Sequence, residues 1–127
     1  ASRGLGDVYK RQVQDILNRL YQNGRPITRE EVKVVIDELV DEQEVAFINY
    51  YESLTDNQSA LLTAIACEGK VASVMSREFL AKYRLPAASS VSLALKTLVS
   101  REFVYRYGEA YIVYDRFFGM WLRKKLA

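Results

Sequence analysis

Phe103-Val104-Tyr105-Arg106-Tyr107-Gly108-Glu109-Ala110-Tyr111-Ile112-Val113-Tyr114 is the part of the chain with the strongest strand character. Two runs of aromatic and β-branched residues, 103–107 and 110–114, flank a Gly-Glu pair. Glycine at the first central position of a two-residue loop suits a II′ hairpin turn. The segments around this hairpin read as helices. Asp115 is placed to cap a short last helix bearing Phe117, Phe118, Trp121 and Leu122, and Arg123-Lys124-Lys125 complements the dipole at its C-terminal end.

Working back toward the N-terminus, Ser89 or Ser90 is placed to cap a helix carrying Val91, Ala94, Leu95 and Leu98. A tight connection through Leu85-Pro86-Ala87-Ala88 separates it from a two-turn helix capped by Ser76 and carrying Phe79, Leu80 and Tyr83. A short extended segment at Val71–Val74 precedes that. Before it, Thr55-Asp56-Asn57-Gln58 is a capping box opening a helix with Leu61, Leu62, Ile65 and Ala66 on one face, stopped by Gly69. Helix, short strand, helix, helix, hairpin, helix is the order of a winged helix-turn-helix.

Upstream of residue 55 the chain is helical as well. Val13, Ile16, Leu17, Leu20 and Tyr21 recur at helical spacing, and Gly24 with Pro26 ends that helix. Thr28-Arg29-Glu30-Glu31 opens a second, acidic helix with Val32, Val35, Ile36, Leu39 and Val40 on its apolar stripe. Asp41-Glu42-Gln43-Glu44 interrupts the stripe, which resumes at Ala46, Phe47, Tyr50, Tyr51 and Leu54. The expected fold is mainly α with a small β-hairpin: a helical lid subdomain over 13–54 followed by a winged helix-turn-helix over 55–127.

Composition limits the chemistry. The 127 residues contain no His and one Cys, which excludes Ser-His-Asp and Cys-His nucleophile pairs and makes a poor zinc donor set. Cys67 has no partner for an internal disulfide, so a reducing, cytoplasmic setting is the expectation. No apolar run approaches the roughly 20 residues that span a bilayer, and no membrane partner is expected. The net charge of +2 is too small to argue for nucleic acid by itself. Its distribution is uneven: residues 28–55 carry two basic and eight acidic groups, whereas 101–127 carry six basic and three acidic. The change of sign near residue 55 marks a boundary.

Val34-Val35-Ile36-Asp37-Glu38 looks like a Walker B strand, in which Asp organises Mg²⁺. The capping box before it and the helical spacing through Leu39 and Val40 make it a helix with a solvated acidic face. The only Gly-Lys pair, Gly69-Lys70, is followed by Val71 and has no glycine five residues upstream, so no phosphate loop is present. No catalytic, cofactor-binding or metal-binding residue is assigned. Cys67 reads as an inert thiol on a helix face.

The helix after Pro86 sits where a winged helix presents its DNA-reading element. Ser89, Ser90, Ser92 and Lys96 are its candidate outward residues, with Arg101 and Arg106 as candidate phosphate contacts. The strong base readers, Arg and Asn/Gln, are absent from this helix before Arg101.

Four segments in order resemble the C-terminal end of archaeal-type AAA+ P-loop ATPases of bacteria and archaea: Val13–Leu17; Ile27-Thr28 with Glu31-Val32; Phe47–Leu62; and Tyr111–Asp115 with Phe117-Phe118 and Trp121-Leu122-Arg123. The resemblance implies a lid plus winged-helix module that moves with nucleotide state and contacts a protein partner or duplex DNA. It places ATP and Mg²⁺ in an ATPase core upstream, itself an expected partner, so this chain is read as non-catalytic. Residues 1–12, with Gly4-Leu5-Gly6-Asp7-Val8-Tyr9-Lys10-Arg11-Gln12, resemble the translated sequencing-adaptor remnant found in frames assembled from environmental DNA, and are expected to be a non-native leader. Two other readings stand beside this one. The first is a stand-alone winged-helix DNA-binding regulator, whose basic groups would be Lys96, Arg101 and Arg106. The second is an adaptor using the acidic helix from Thr28 to Leu54.

Overall fold

The computed structural model describes residues 3–21 and 27–126. Among these residues lie seven helices and one hairpin: α1 (Arg3–Tyr21), α2 (Arg29–Glu42), α3 (Glu44–Glu52), α4 (Asp56–Glu68), α5 (Arg77–Lys82), α6 (Ala88–Ser100), β1 (Val104–Tyr107), β2 (Ala110–Val113) and α7 (Arg116–Leu126). The Gly24–Pro26 stop lies outside the described residues, as do residues 1 and 2 of the expected leader.

Most helix starts follow from caps legible in the chain. Thr28 Oγ1 accepts from the Glu31 N–H at 3.2 Å. At Thr55 the box is reciprocal, with Gln58 N–H donating to Thr55 Oγ1 (3.3 Å) and Thr55 N–H to Gln58 Oε1 (3.0 Å). Ser76 caps α5 through the Phe79 N–H. Asp115 Oδ1 accepts from the N–H groups of Phe117 and Phe118 at 2.9 and 3.2 Å. Each such cap satisfies donors that the helix leaves unpaired, and is worth about 1 kcal/mol. The polar interruption breaks the helix at Gln43, which separates α2 from α3.

Two expectations are corrected and one is extended. Helix α6 starts at Ala88 with Ala87 as N-cap and no side-chain cap. Ala87 itself is extended (φ −57°, ψ 152°) and its carbonyl accepts the first helical bond from the Val91 N–H, so neither Ser89 nor Ser90 sits at the cap. The segment at 71–74 contributes a single antiparallel bridge, Val71 to Tyr111, rather than a full strand. The basic end of α7 does more than complement a dipole: Arg123 donates to Ala66 O (2.9 Å), Lys124 pairs with Asp41 (3.5 Å) and Lys125 with Glu44 (3.1 Å).

The hairpin register pairs Val104 with Val113, Tyr105 with Ile112, Arg106 with Tyr111 and Tyr107 with Ala110. Gly108 carries φ +62°, as the II′ turn requires of its first residue. Helix α4 is the central element, packed on both α6 and α7, with Leu61, Leu62 and Ile65 fully buried. Full burial of each such side chain contributes about 1.5–3 kcal/mol. The core continues through the Leu54–Thr55 junction: the Phe47 ring of α3 packs, tilted, against Phe118 (5.2 Å between centroids) and Trp121 (6.1 Å) of α7. Val35, Leu39 and Val40 of α2 and Leu20 of α1 complete the same cluster. Helix α1 leaves Val13, Leu17 and Tyr21 largely uncovered.

Candidate interaction surface of the winged helix

Helices α4, α5 and α6 form the three-helix unit, with the Val71 bridge between α4 and α5 and the hairpin after α6. Both α5 and α6 end on a non-glycine residue with positive φ, Arg84 at +52° and Glu102 at +62°. The N–H of the next residue then reaches back to the last turn (Leu85 to Leu80 O, Phe103 to Leu98 O). These Schellman-type closures turn the chain sharply and so fix the angle at which α6 leaves α5 and the hairpin leaves α6.

The buried side of α6 holds Val91, Ala94, Leu95 and Leu98 against α4. Its outward face, read at intervals of three and four, is Ser89, Ser92 with Leu93, Lys96, and Val99 with Ser100. Leu93, in the middle of this face, is 68% exposed. Of the six candidate residues, the structure therefore brings Ser89, Ser92 and Lys96 together on one surface. Ser90 is half-buried and turns toward Thr55 and Asn57 at the start of α4, where it lines a shallow hollow of about 200 Å³.

Arg101 is at the other end of the helix, about 18 Å along the axis from Ser89. Its guanidinium donates to Ser53 O (3.3 Å) and Ser53 Oγ (3.0 Å), and lies 5.0 Å from the Phe103 ring centroid. It clamps the end of α6 to the end of α3. Arg106 donates from Nε to Gly108 O at 3.0 Å and lies 6.0 Å from the Tyr111 centroid, so it braces the turn. Both cations assigned to phosphate contact are thus engaged within the chain.

Charge elsewhere is also matched internally. Arg19 bridges α1 to Glu42 of α2 (2.9 Å), and this contact holds the Glu42 carboxyl below its ordinary range. Glu68 accepts from Lys82 Nζ (2.7 Å) and Tyr83 OH (2.8 Å), in that order the main reasons its carboxyl is held low. Among the described residues no group of His, Cys, Asp or Glu is arranged to hold a metal ion, and no helix is long and apolar enough to cross a membrane.

The outer face of the hairpin was not singled out in the sequence. Strand alternation opposite the buried pair Val104/Val113 puts Tyr105, Tyr107 and Ile112 on one side. Tyr107 is 73% exposed. The signal that finds this face is the period of two, combined with knowing which residues go inward.

No curated protein and no solved structure matches the chain. Residues 45–124 match a family described as a probable winged helix domain. The match starts at α3 and ends within α7, taking in the helix pair that Phe47 and Trp121 lock together. With the three-helix unit and hairpin in the order that architecture requires, the chain belongs to the probable winged helix domain family, whose fold suits it to binding a nucleic acid or a partner.

Proposed function

We propose that the chain is a non-catalytic docking module, a lid plus winged helix from the C-terminal side of an AAA+-type P-loop ATPase, and that its winged helix engages a protein rather than reading bases. The observation that carries the docking reading is the exposed face of α6. It offers Ser89, Ser92, Leu93 and Lys96, with no Arg, Asn or Gln, and centres on a solvent-facing leucine. Base readout in the major groove depends mainly on Arg, Lys, Asn and Gln, whereas an exposed apolar residue ringed by small hydroxyls suits a protein contact. Arg101 and Arg106 are held by Ser53 and Gly108.

Support for the ATPase parentage is the ordered set of four sequence motifs, together with Val13 and Leu17 left exposed on α1, where a further body can cover them. ATP and Mg²⁺ belong to the upstream core in this reading. This chain's own residues do not fit the nucleotide, since Gly69-Lys70-Val71 is not a phosphate loop.

Titration of duplex DNA at low salt tests the docking reading. No retardation is expected, and retardation that weakens steeply with added salt overturns it in favour of a stand-alone DNA-binding regulator, a reading that Lys96 on the open face of α6 supports. Calorimetry with ATP tests the non-catalytic reading: no heat of binding is expected, and saturable uptake refutes it.

A further inference from the structure

Two neighbouring hollows, of about 610 and 170 Å³, share Gly69, Ile112 and Arg116 and so form one groove. It runs from the outer face of the hairpin along α7. The floor is Tyr105, Tyr107 and Ile112, then Met120. Lys70, Arg116 and Arg123 stand along it, all three exposed. Arg116 and Arg123 also make contacts within the chain, so they contribute charge rather than free donors. Lys70 has no such tie. The acidic group on the groove is Glu68, and Lys82 and Tyr83 already compensate its carboxylate. An apolar floor thus lies under a rim on which Lys70 is untied and Arg116 and Arg123 add positive charge.

We propose that this groove binds an extended acidic segment of a protein partner, with aliphatic or aromatic side chains on the Tyr107–Ile112–Met120 floor and carboxylates toward Lys70, Arg116 and Arg123. The inference rests on the docking reading above, adds a second surface to the α6 face and names the chemistry of the partner that it takes. Charge complementarity selects an acidic occupant. The rings select a peptide over single-stranded nucleic acid. Stacking of successive bases needs successive open rings, but Tyr105 is half-buried and packs edge-on against Tyr114 at 6.2 Å, which leaves Tyr107 alone. An extended peptide instead places alternate side chains on floor and rim, in the period the groove offers.

The test is fluorescence polarisation with the full chain at low ionic strength, using a labelled peptide of alternating Glu and Leu. A Gln-for-Glu version of the peptide and a labelled oligothymidine serve as comparison probes. Saturable binding of the Glu–Leu peptide is expected, with none of the Gln version. Lys70→Glu and Tyr107→Ala should each weaken it about tenfold, while Lys33→Glu on α2 leaves it unchanged. Both groove variants alter exposed side chains, and matched thermal midpoints confirm that they fold. Three results overturn the inference: no saturable peptide binding, equal loss in Lys33→Glu, or oligothymidine bound more tightly than the peptide and lost in Lys70→Glu. If the peptide fails while duplex DNA also fails to bind, the groove assignment falls and the docking reading stands. Salt-sensitive duplex binding removes the docking reading itself.

Discussion

Trp121, the only tryptophan in the sequence, donates its indole N–H to Glu44 Oε2 at 3.1 Å, across 77 residues of chain. The same carboxylate oxygen receives Lys125 Nζ at 3.1 Å. One acidic side chain at the start of α3 therefore holds two positions of α7, a turn apart, while the Trp121 ring stacks on Phe118 and meets Phe47 and Tyr51 at an angle.

Glu44 makes the α3–α7 contact pH-dependent. The hydrogen bond from Trp121, then that from Lys125, holds its carboxyl below the ordinary 4.5. A depressed folded-state pKa contributes stability that is fully present above the ordinary value and is lost as pH falls through the depressed one. Urea midpoints of the parent and Glu44→Gln should therefore differ most near neutral pH and converge below 4.5. Trp121 emission should shift over the same window. A constant difference across pH would show that the carboxylate charge is not what matters.

Tyr83 provides the opposite sign. Burial, followed by the Glu68 contact, pushes its phenol above the ordinary 10.0. A raised pKa contributes stability that is present below the ordinary value and lost as pH rises through the raised one. Tyr83→Phe should reduce the alkaline fall in the unfolding midpoint seen for the parent. An unchanged alkaline limb places that loss elsewhere.

Phe47 should behave as a core residue of the winged helix although it lies before residue 55. It is fully buried, whereas Val45, two positions earlier, is 74% exposed. Phe47→Ala should cost about 3–5 kcal/mol and Val45→Ala no more than about 0.5 kcal/mol, read from chemical unfolding of the whole chain. Two separate unfolding transitions, with only the first moved by Phe47→Ala, would show that α3 is energetically apart from α4–α7.

The helix stops carry removable strain. Arg84 and Glu102 hold φ of +52° and +62° without being glycine. Glycine there relieves the Cβ clash but adds unfolded-state entropy, so Arg84→Gly and Glu102→Gly should each stabilise by about 0.5 kcal/mol. Gly108→Ala, at φ +62° with open space around it, should destabilise by about 1 kcal/mol. Thermal midpoints of the three variants check the signs.

The order of elements was legible because each boundary has a local cause. Thr55/Gln58, Ser76 and Asp115 announce helix starts through their own hydroxyls and carbonyls, and Gly108 announces the turn through the φ that only its missing Cβ makes easy. The period of 3.6 in α4 and α6 marked the core face. Asp37-Glu38 lies within α2, as the spacing of its apolar neighbours requires, since that spacing distinguishes a helix stripe from a buried strand.

Side-chain partners were not legible, because they lie far apart in the chain. Nothing near Arg101 in sequence says that Ser53 will receive its guanidinium, and nothing near Lys124 or Lys125 points to Asp41 or Glu44. The acidic helix from Thr28 to Leu54 looked like a surface for a partner, yet Asp41 and Glu44 within it pair with Lys124 and Lys125 of α7. By itself the sequence determined the order of helices and hairpin and the inward faces of α4 and α6, since these follow from backbone sterics, capping and apolar periodicity. Only the tertiary structure decided which charges remain available to a partner, leaving Lys96 and Lys70 open and engaging Arg101 with Ser53, because pairing energy depends on distance in space and not along the chain.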